Sequence, residues 1–316
     1  MHKDYYFDLN KKKIWVAGHN GMVGKALFKK LTAKKLNILT VCKSVLDLTN
    51  QSQTFNWIKE NSPQVIFLAA AKVGGIKANS LNQSDFLYQN MMIQNNIIKA
   101  AVEYQVEKLI FLGSSCIYPK EADQPIKENA LLSKPLEKTN EGYAIAKIAG
   151  LKLCSYLYNE YHKDFITVMP TNLYGPNDNY DLDNSHVLAA LINKITYAKK
   201  YNKESIEIWG TGKPKRDFLH VSDLADAVYF LAENYSSANP INVGSSKEIS
   251  IEELAQVIAK IVGWSGQFKF NKNMPDGTML KKLDTSKINT MGWSPKIDIK
   301  SGIRKTIKEY LKSHDI

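Results

Sequence analysis

Short apolar runs alternate with longer segments of helical periodicity through the first half of the chain. KIWVAG (13–18) has the continuous apolar character of a strand buried on both faces, and MVGKALFKKLTAKK after it carries apolar residues at helical spacing. The alternation repeats as NILTVC, a helix around QSQTFNWIKE, the strand QVIFLAA and a long helix through NMMIQNNIIKAAVEY. It continues as the strand KLIFLG, a helix containing GYAIAK and the strand FITVMP. Alternating β and α units over this length predict an α/β fold built on a doubly wound parallel sheet. Beyond MPTNLYGPND the rhythm weakens into shorter elements, which predicts a smaller C-terminal lobe. The expected division is a polar extension over 1–12 that frays, a first domain over 13–175, and a lobe over 176–316 whose chain crosses back to the first domain. In that lobe SIEE (250–253) has the spacing of a capping box at the start of the helix LAQVIAKIV. Trp57, Trp264, Trp293 and His220 are expected to hold the fold together.

The first strand-to-helix turn reads GHNGMVG, with glycines at 18, 21 and 24. Glycine there permits a sharp turn, close approach of the backbone to a pyrophosphate and tight packing of helix on sheet. The helix start adds free N–H groups for the anion. A plain tight turn has the same residues, but the position after the first strand of a βαβ series points to a Rossmann-like dinucleotide site. The second strand ends VCKS, with no acid to hold a ribose 2′-hydroxyl and with Lys43 in reach of a 2′-phosphate, so NADPH/NADP is the expected cofactor. Asp47 has two open readings, an acceptor for the adenine amino group or the cap of its own turn.

FLGSSCIYP (111–119) breaks at Gly113, so Ser114, Ser115 and Cys116 emerge at the carboxyl end of a strand, the edge where open α/β sheets bind ligands. Small hydroxyl residues after a glycine also simply form loops. In GYAIAK, Tyr143 and Lys147 lie one helical turn apart on one face. Hydride reduction of a ketone leaves an alkoxide that needs a proton, and a phenol of unperturbed pKa about 10 supplies it better once a nearby ammonium lowers that value. Tyr143 is therefore the candidate acid and Lys147 its tuning cation, which also touches the nicotinamide ribose. Ser114 converges with this tyrosine on the same crevice as the nicotinamide.

The composition, 44% hydrophobic and 23% charged, is that of a globular protein. No apolar run has the length of a bilayer span, and MHKDYYFDLNKKK lacks the apolar core of a secretory signal, so a cytoplasmic location without a membrane partner is expected. Cys42, Cys116 and Cys154 are an odd count without metal spacing, which predicts free thiols in a reducing compartment and no metal. A net charge of +11 raises the question of nucleic acid. The lysines are scattered along the chain, however, and suit solvated faces or a polyanionic small substrate instead.

AGHNGMVG, LAAAKVGGIKAN, YQNMMIQNNII, LGSSCIYPK, YAIAKIAGLKLC, MPTNLYGP, NSHV, RDFLHVSDLADA and PDGT stand in this order along nearly the whole chain after the first dozen residues. In these strings the chain resembles the extended short-chain dehydrogenase/reductases, and among them the epimerase-reductases of GDP-linked 4-keto-6-deoxyhexoses. The resemblance implies a reductase triad of Ser114, Tyr143 and Lys147, and an acid/base pair, Cys116 and His186, that inverts C3 and C5 beside a C4 ketone. Read without it, Cys116 is a structural thiol and His186 a capping residue of the loop DNSHV. The resemblance further implies cofactor contacts from Gly18, Asn20, Gly21, Met22, Val23, Gly24, Lys43, Asp47, Leu48, Ala69, Ala70, Ala71, Tyr143, Lys147, Pro170, Thr171, Asn172, Leu173 and His186. Substrate contacts are implied for Ser114, Asn172, Lys194, Trp209, Arg216 and Asp276. Relatives often carry arginine where Lys194 stands, which adds a forked grip on a diphosphate that lysine lacks. They form homodimers through the helices containing NMMIQNNIIKAA and GYAIAK. Other relatives reduce GDP-linked 4-keto-heptoses for capsule polysaccharide and leave epimerisation to a separate protein, which is the alternative function. A non-catalytic NADPH-binding sensor is the remote one.

Overall fold

The computed structural model describes residues 5–182, 184–274 and 276–314. The first four residues of the expected extension, Asp183 of the DNSHV loop and Pro275 at the head of PDGT lie outside them. The first domain runs β1 (Lys13–Ala17), α1 (Met22–Ala33), β2 (Asn37–Leu39), α2 (Gln51–Asn61), β3 (Val65–Leu68), α3 (Ile76–Leu81), α4 (Gln83–Glu103), β4 (Lys108–Leu112), α5 (Glu141–Tyr161) and β5 (Asp164–Pro170). The remainder adds β6 (Asn172–Tyr174), α6 (Val187–Lys200), β7 (Ser205–Trp209), β8 (Lys215–His220), α7 (Val221–Asn234) and β9 (Ile241–Val243). It ends with β10 (Glu248–Ser250), α8 (Ile251–Val262), β11 (Gln267–Asn271), β12 (Leu280–Lys281), α9 (Ser286–Thr290) and α10 (Ile299–Ser313).

Six parallel strands form the main sheet in the order β2-β1-β3-β4-β5-β9. The inner strands are near-continuous apolar runs because both faces are covered. Ile14, Val16, Phe67 and Ile110 enter one core, while Trp15, Ile66, Leu109 and Phe111 enter the other. The edge strand β2 pairs with β1 alone and stops at Leu39, shorter than NILTVC predicts. Although β9 comes from the C-terminal half, it closes the sheet beside β5, and α7 packs on α1. Residues 176–316 thus contribute to both lobes.

In the second lobe β8 is central, antiparallel to β10 and parallel to β12 and β6, while β7 pairs with β11. A third core fills the space among α6, α8 and α10, including Leu188, Ile192, Leu254, Ile258, Ile303 and Ile307. The SIEE box is formed: Ser250 Oγ accepts from the Glu253 N–H at 3.1 Å and the Glu253 carboxylate accepts from the Ser250 N–H at 2.9 Å. Trp264 and Trp293 are buried, and Trp57 packs on Trp15 with ring centroids 4.4 Å apart. His220 is buried at the start of α7, where its Nδ1 accepts from the Ser222 N–H at 3.2 Å. Burial, with Lys305 nearby, pushes its pKa down to about 4, which keeps that nitrogen an acceptor.

Residues 5–12 do not fray as expected. Leu9 is fully buried, and the Phe7 N–H donates to the Glu233 carbonyl at 2.8 Å. The Lys108 ammonium, itself buried, donates to Tyr5 Oη at 2.8 Å, to Asp164 at 2.7 Å and to the Tyr235 carbonyl at 2.8 Å. Tyr5, Phe7 and Leu9 alternate like one face of a strand, a period hidden by the polarity of the stretch as a whole.

Candidate active site

A parallel sheet sends every strand end of one kind to the same edge, so the turns after β1, β3, β4 and β5 share one crevice. Gly18 has φ +88°, and a Cβ there would lie 2.7 Å from the Ala70 backbone. A methyl on Gly24 would drive into the Gly18 carbonyl oxygen. Gly21 opens α1 with no side chain capping it, which leaves the first-turn N–H groups of Met22, Val23 and Gly24 to an anion. This turn, in which neither Gly18 nor Gly24 has room for a side chain, fits the pyrophosphate of a dinucleotide. Asn20 Nδ2 approaches Cys42 Sγ at 3.7 Å and ties the turn to the loop after β2, where Lys43 is exposed. Asp47 adopts its capping reading: Oδ1 accepts from the Thr49 N–H at 2.9 Å and from its hydroxyl at 2.8 Å, and these bonds hold the carboxyl below the usual range. Leu48 presents its carbonyl to Asn96, and Ala69, Ala70 and Ala71 follow β3, half-buried beside the glycine turn.

Ser114 leaves β4 in extended conformation and starts the 3-10 turn Ser115–Ile117, its Oγ accepting from the Cys116 N–H at 3.2 Å. Tyr143 stands in the first turn of α5 and Lys147 one turn on. The Lys147 ammonium donates to the Leu112 carbonyl at 2.8 Å and sits 5.9 Å from the Tyr143 ring centroid. Burial pushes the Lys147 pKa down to about 7. Burial also raises that of Tyr143, with Cys116 adding to the rise and a hydrogen bond with Ser114 opposing it. The expected depression of the tyrosine pKa is therefore not what the protein alone produces. Burial dominates, and the ammonium is itself drawn toward neutrality while it donates to the Leu112 carbonyl. The phenol consequently keeps its proton at neutral pH, as a donor to an alkoxide must.

His186 caps α6 at its N-terminus and is open to solvent while surrounded by protein, as a cleft residue is. Burial first and Lys281 second lower its pKa, which leaves a neutral imidazole at pH 7. Lys281 also donates to Cys116 Sγ at 3.6 Å. One ammonium thus stands between the thiol and the imidazole. The sequence reading missed Lys281. The available signal was its place five residues after Asp276 in one string, but only the register of β12 on β8, which sets Lys281 opposite Arg216, brings it to the crevice.

The remaining residues form a connected group on the second lobe. Lys194 Nζ lies 5.8 Å from the ring centroid of Trp209, which is 43% exposed, and donates to the Glu207 carbonyl at 3.1 Å. Burial lowers the pKa of both Lys194 and Arg216; Glu207 opposes the shift in the first, Asp276 and Cys116 in the second. Asp276 accepts from the Thr211 N–H at 2.6 Å and from its hydroxyl at 2.8 Å, so part of its capacity holds the Gly210–Gly212 turn. Pro170 and Thr171 are buried at the end of β5, with Leu173 half-buried after them. Thr171 and Asn172 both donate to the Asp217 carbonyl, at 3.1 and 2.9 Å, which brings the two lobes together at the crevice floor.

Among the described residues, no cluster of His, Cys, Asp or Glu is arranged to hold a metal, and no helix is long and apolar enough to cross a membrane. Residues 14–244 match the profile of the NAD dependent epimerase/dehydratase family. The chain is 47% identical over 305 residues to a GDP-L-fucose synthase of Sinorhizobium fredii, covering 96% of this chain and 97% of that one. It is similar to the solved structure of a GDP-mannoheptose C4 reductase from Campylobacter jejuni with NADP bound, at 37% identity and TM-score 0.87 over 96% and 99% of the two chains. It is also similar to a GDP-L-fucose synthetase from Naegleria fowleri bound to NADP, at 26% identity and TM-score 0.90 over 99% and 98%. The chain belongs to the NAD-dependent epimerase/dehydratase family.

Proposed function

We propose that the protein reduces the C4 ketone of a GDP-linked 4-keto-6-deoxyhexose with NADPH and also inverts C3 and C5, giving GDP-L-fucose. The reading rests on one observation above the others. The strand end carrying Ser114 also carries Cys116, and Lys281 joins Cys116 to His186 within the crevice that holds Tyr143 and Lys147.

The glycine turn would hold the pyrophosphate of NADPH, Lys43 its 2′-phosphate, and the Ala69–Ala71 and Pro170–Leu173 segments its remaining length. Bound there, NADPH supplies a hydride. Tyr143 delivers its proton to the oxygen at C4, Ser114 orients that oxygen, and Lys147, anchored on Leu112, compensates the phenolate left behind. The ketone acidifies the hydrogens on C3 and C5. Of Cys116 and His186, one removes such a proton and the other delivers one to the opposite face. Lys281 compensates negative charge on the sulfur. Lys194 and Arg216 suit a diphosphate, and exposed Trp209 suits a guanine face. The assembly proposed is a cytoplasmic homodimer formed through α4 and α5, with all three thiols free.

The 37% identity to the heptose reductase favours a second reading, C4 reduction of a GDP-linked 4-keto-heptose for capsule polysaccharide without epimerisation. Incubation with NADPH and either GDP-4-keto-6-deoxymannose or the heptose analogue separates the two. Turnover of the deoxyhexose to GDP-L-fucose is expected; turnover of the heptose alone would move the assignment to the second reading.

A further inference from the structure

Cys116 has a second neighbourhood besides the one used above. With Tyr118, Gln124, Glu137, Thr278 and Lys281 it lines a small cavity of about 20 Å³. A cavity needs roughly 10–15 Å³ on this measure to hold one water, provided two or more polar groups face it. The Glu137 carboxylate is such a group. Its buried Oε2 forms an ion pair with the Lys120 ammonium at 3.2 Å and has no further hydrogen-bond partner among the described residues. The other oxygen, Oε1, faces the N–H and hydroxyl of Thr139 at 3.4 Å. One ammonium and one threonine leave part of the carboxylate's acceptor capacity unfilled, and a cavity water can fill it.

Inversion of two carbons by one acid/base pair creates a need at this place. After the first inversion the group that removed a proton is protonated and the group that delivered one is not. Before the pair can act again in the same sense, both must be reset from solvent. His186 opens to the cleft, whereas Cys116 is half-buried, so with a sugar in the cleft its proton needs another route.

We propose that the cavity is that route, with one water joining the Cys116 sulfur to the Glu137 carboxylate. Glu137 is then a positioning residue that resets Cys116 between inversions. When Cys116 takes a sugar proton, the C–H bond breaks and S–H forms. The S–H then breaks as its proton joins the water, which passes one of its own to Glu137 Oε2 and on to bulk solvent past half-exposed Lys120. The reverse sequence recharges the thiol. No electron changes owner, and Lys281 on the sulfur and Lys120 on the carboxylate balance the charge at each stage.

This inference rests on the proposed acid/base role of Cys116. Glu137→Gln tests it, because the amide keeps an oxygen for Thr139 but cannot carry the proton. Exchange of solvent deuterium into C3 and C5 of GDP-4-keto-6-deoxymannose is followed without NADPH, and C4 reduction is followed separately with the doubly inverted ketone. The variant is expected to lose exchange by about tenfold or more, less than the ~10²–10⁴-fold of a group that itself transfers the proton, with KM and C4 reduction near wild type. Glu137→Asp is expected to recover part of the loss. Wild-type exchange in Glu137→Gln overturns the relay, as does a parallel loss of exchange and reduction, which would mark a structural role. If the wild-type protein shows no exchange at either carbon, the epimerase reading itself falls and the relay with it.

Discussion

Burial takes Lys147 out of water, and its ammonium donates to the Leu112 carbonyl at 2.8 Å and lies over the Phe111 ring. A lysine whose folded pKa is depressed binds fewer protons folded than unfolded, so its charge costs stability. The cost is largest below about 7 and fades as pH rises toward the ordinary lysine value of 10.5. Lys147→Met is therefore expected to stabilise the free protein by on the order of 1–3 kcal/mol at pH 6 while abolishing reduction. Thermal melts at pH 6 and pH 9 check this, and the gain should shrink at the higher pH. A destabilised variant would show that the Leu112 bond outweighs the burial cost. Tyr143 and Lys147 were legible in the sequence because a spacing of four puts them on one helical face. The direction in which burial shifts each pKa was not, since depth of burial is a tertiary quantity. For the same reason Asp47 and Thr171 could be named, but not the hydrogen bonds that occupy them.

The glycine turn shows how far an element can be read from its residues. Gly18 and Gly24 meet each other and the Ala70 backbone, whereas a Cβ on Gly21 would meet only the Gly18 carbonyl, at 3.6 Å. Gly24→Ala is expected to weaken NADPH binding by about tenfold or more, since the helix start must shift from the position an anion needs. Gly21→Ala should bind within a few-fold of wild type. Titration calorimetry distinguishes them, and equal affinities across all three proteins would remove the turn from the cofactor site. The spacing of the three glycines was visible in the chain, but not their unequal crowding, which the folded turn sets by bringing Gly24 onto the Gly18 carbonyl and Gly18 onto Ala70. The segment before β1 was misread for a related reason: its composition is polar, and only the socket beside Lys108 reveals that Tyr5, Phe7 and Leu9 share a side.

At the scale of the whole molecule, the βα rhythm of the first half carried directly into the sheet, because strands with both faces covered read as near-continuous apolar runs. Where β9 and α7 return to that sheet was less legible, since three-residue strands such as Ile241–Val243 have no period to detect. The packed pair α4 and α5 leaves Tyr88, Ile145 and Tyr156 exposed at 65%, 43% and 53%. Analytical ultracentrifugation is expected to give the mass of two chains, and Ile145→Glu to shift it toward one. A monomeric wild-type protein at micromolar concentration would contradict the proposed dimer.

The most direct measurement is single-turnover kinetics of Tyr143→Phe with NADPH and GDP-4-keto-6-deoxymannose. Removing one oxygen takes away the proposed proton donor and leaves the ring packed, so NADPH should still bind and deuterium should still enter C3 and C5. Hydride transfer to C4 should fall by about 10²–10⁴-fold. Oxidation of NADPH at the wild-type rate would show that another group protonates the sugar oxygen, and the account of this crevice would be wrong at its centre.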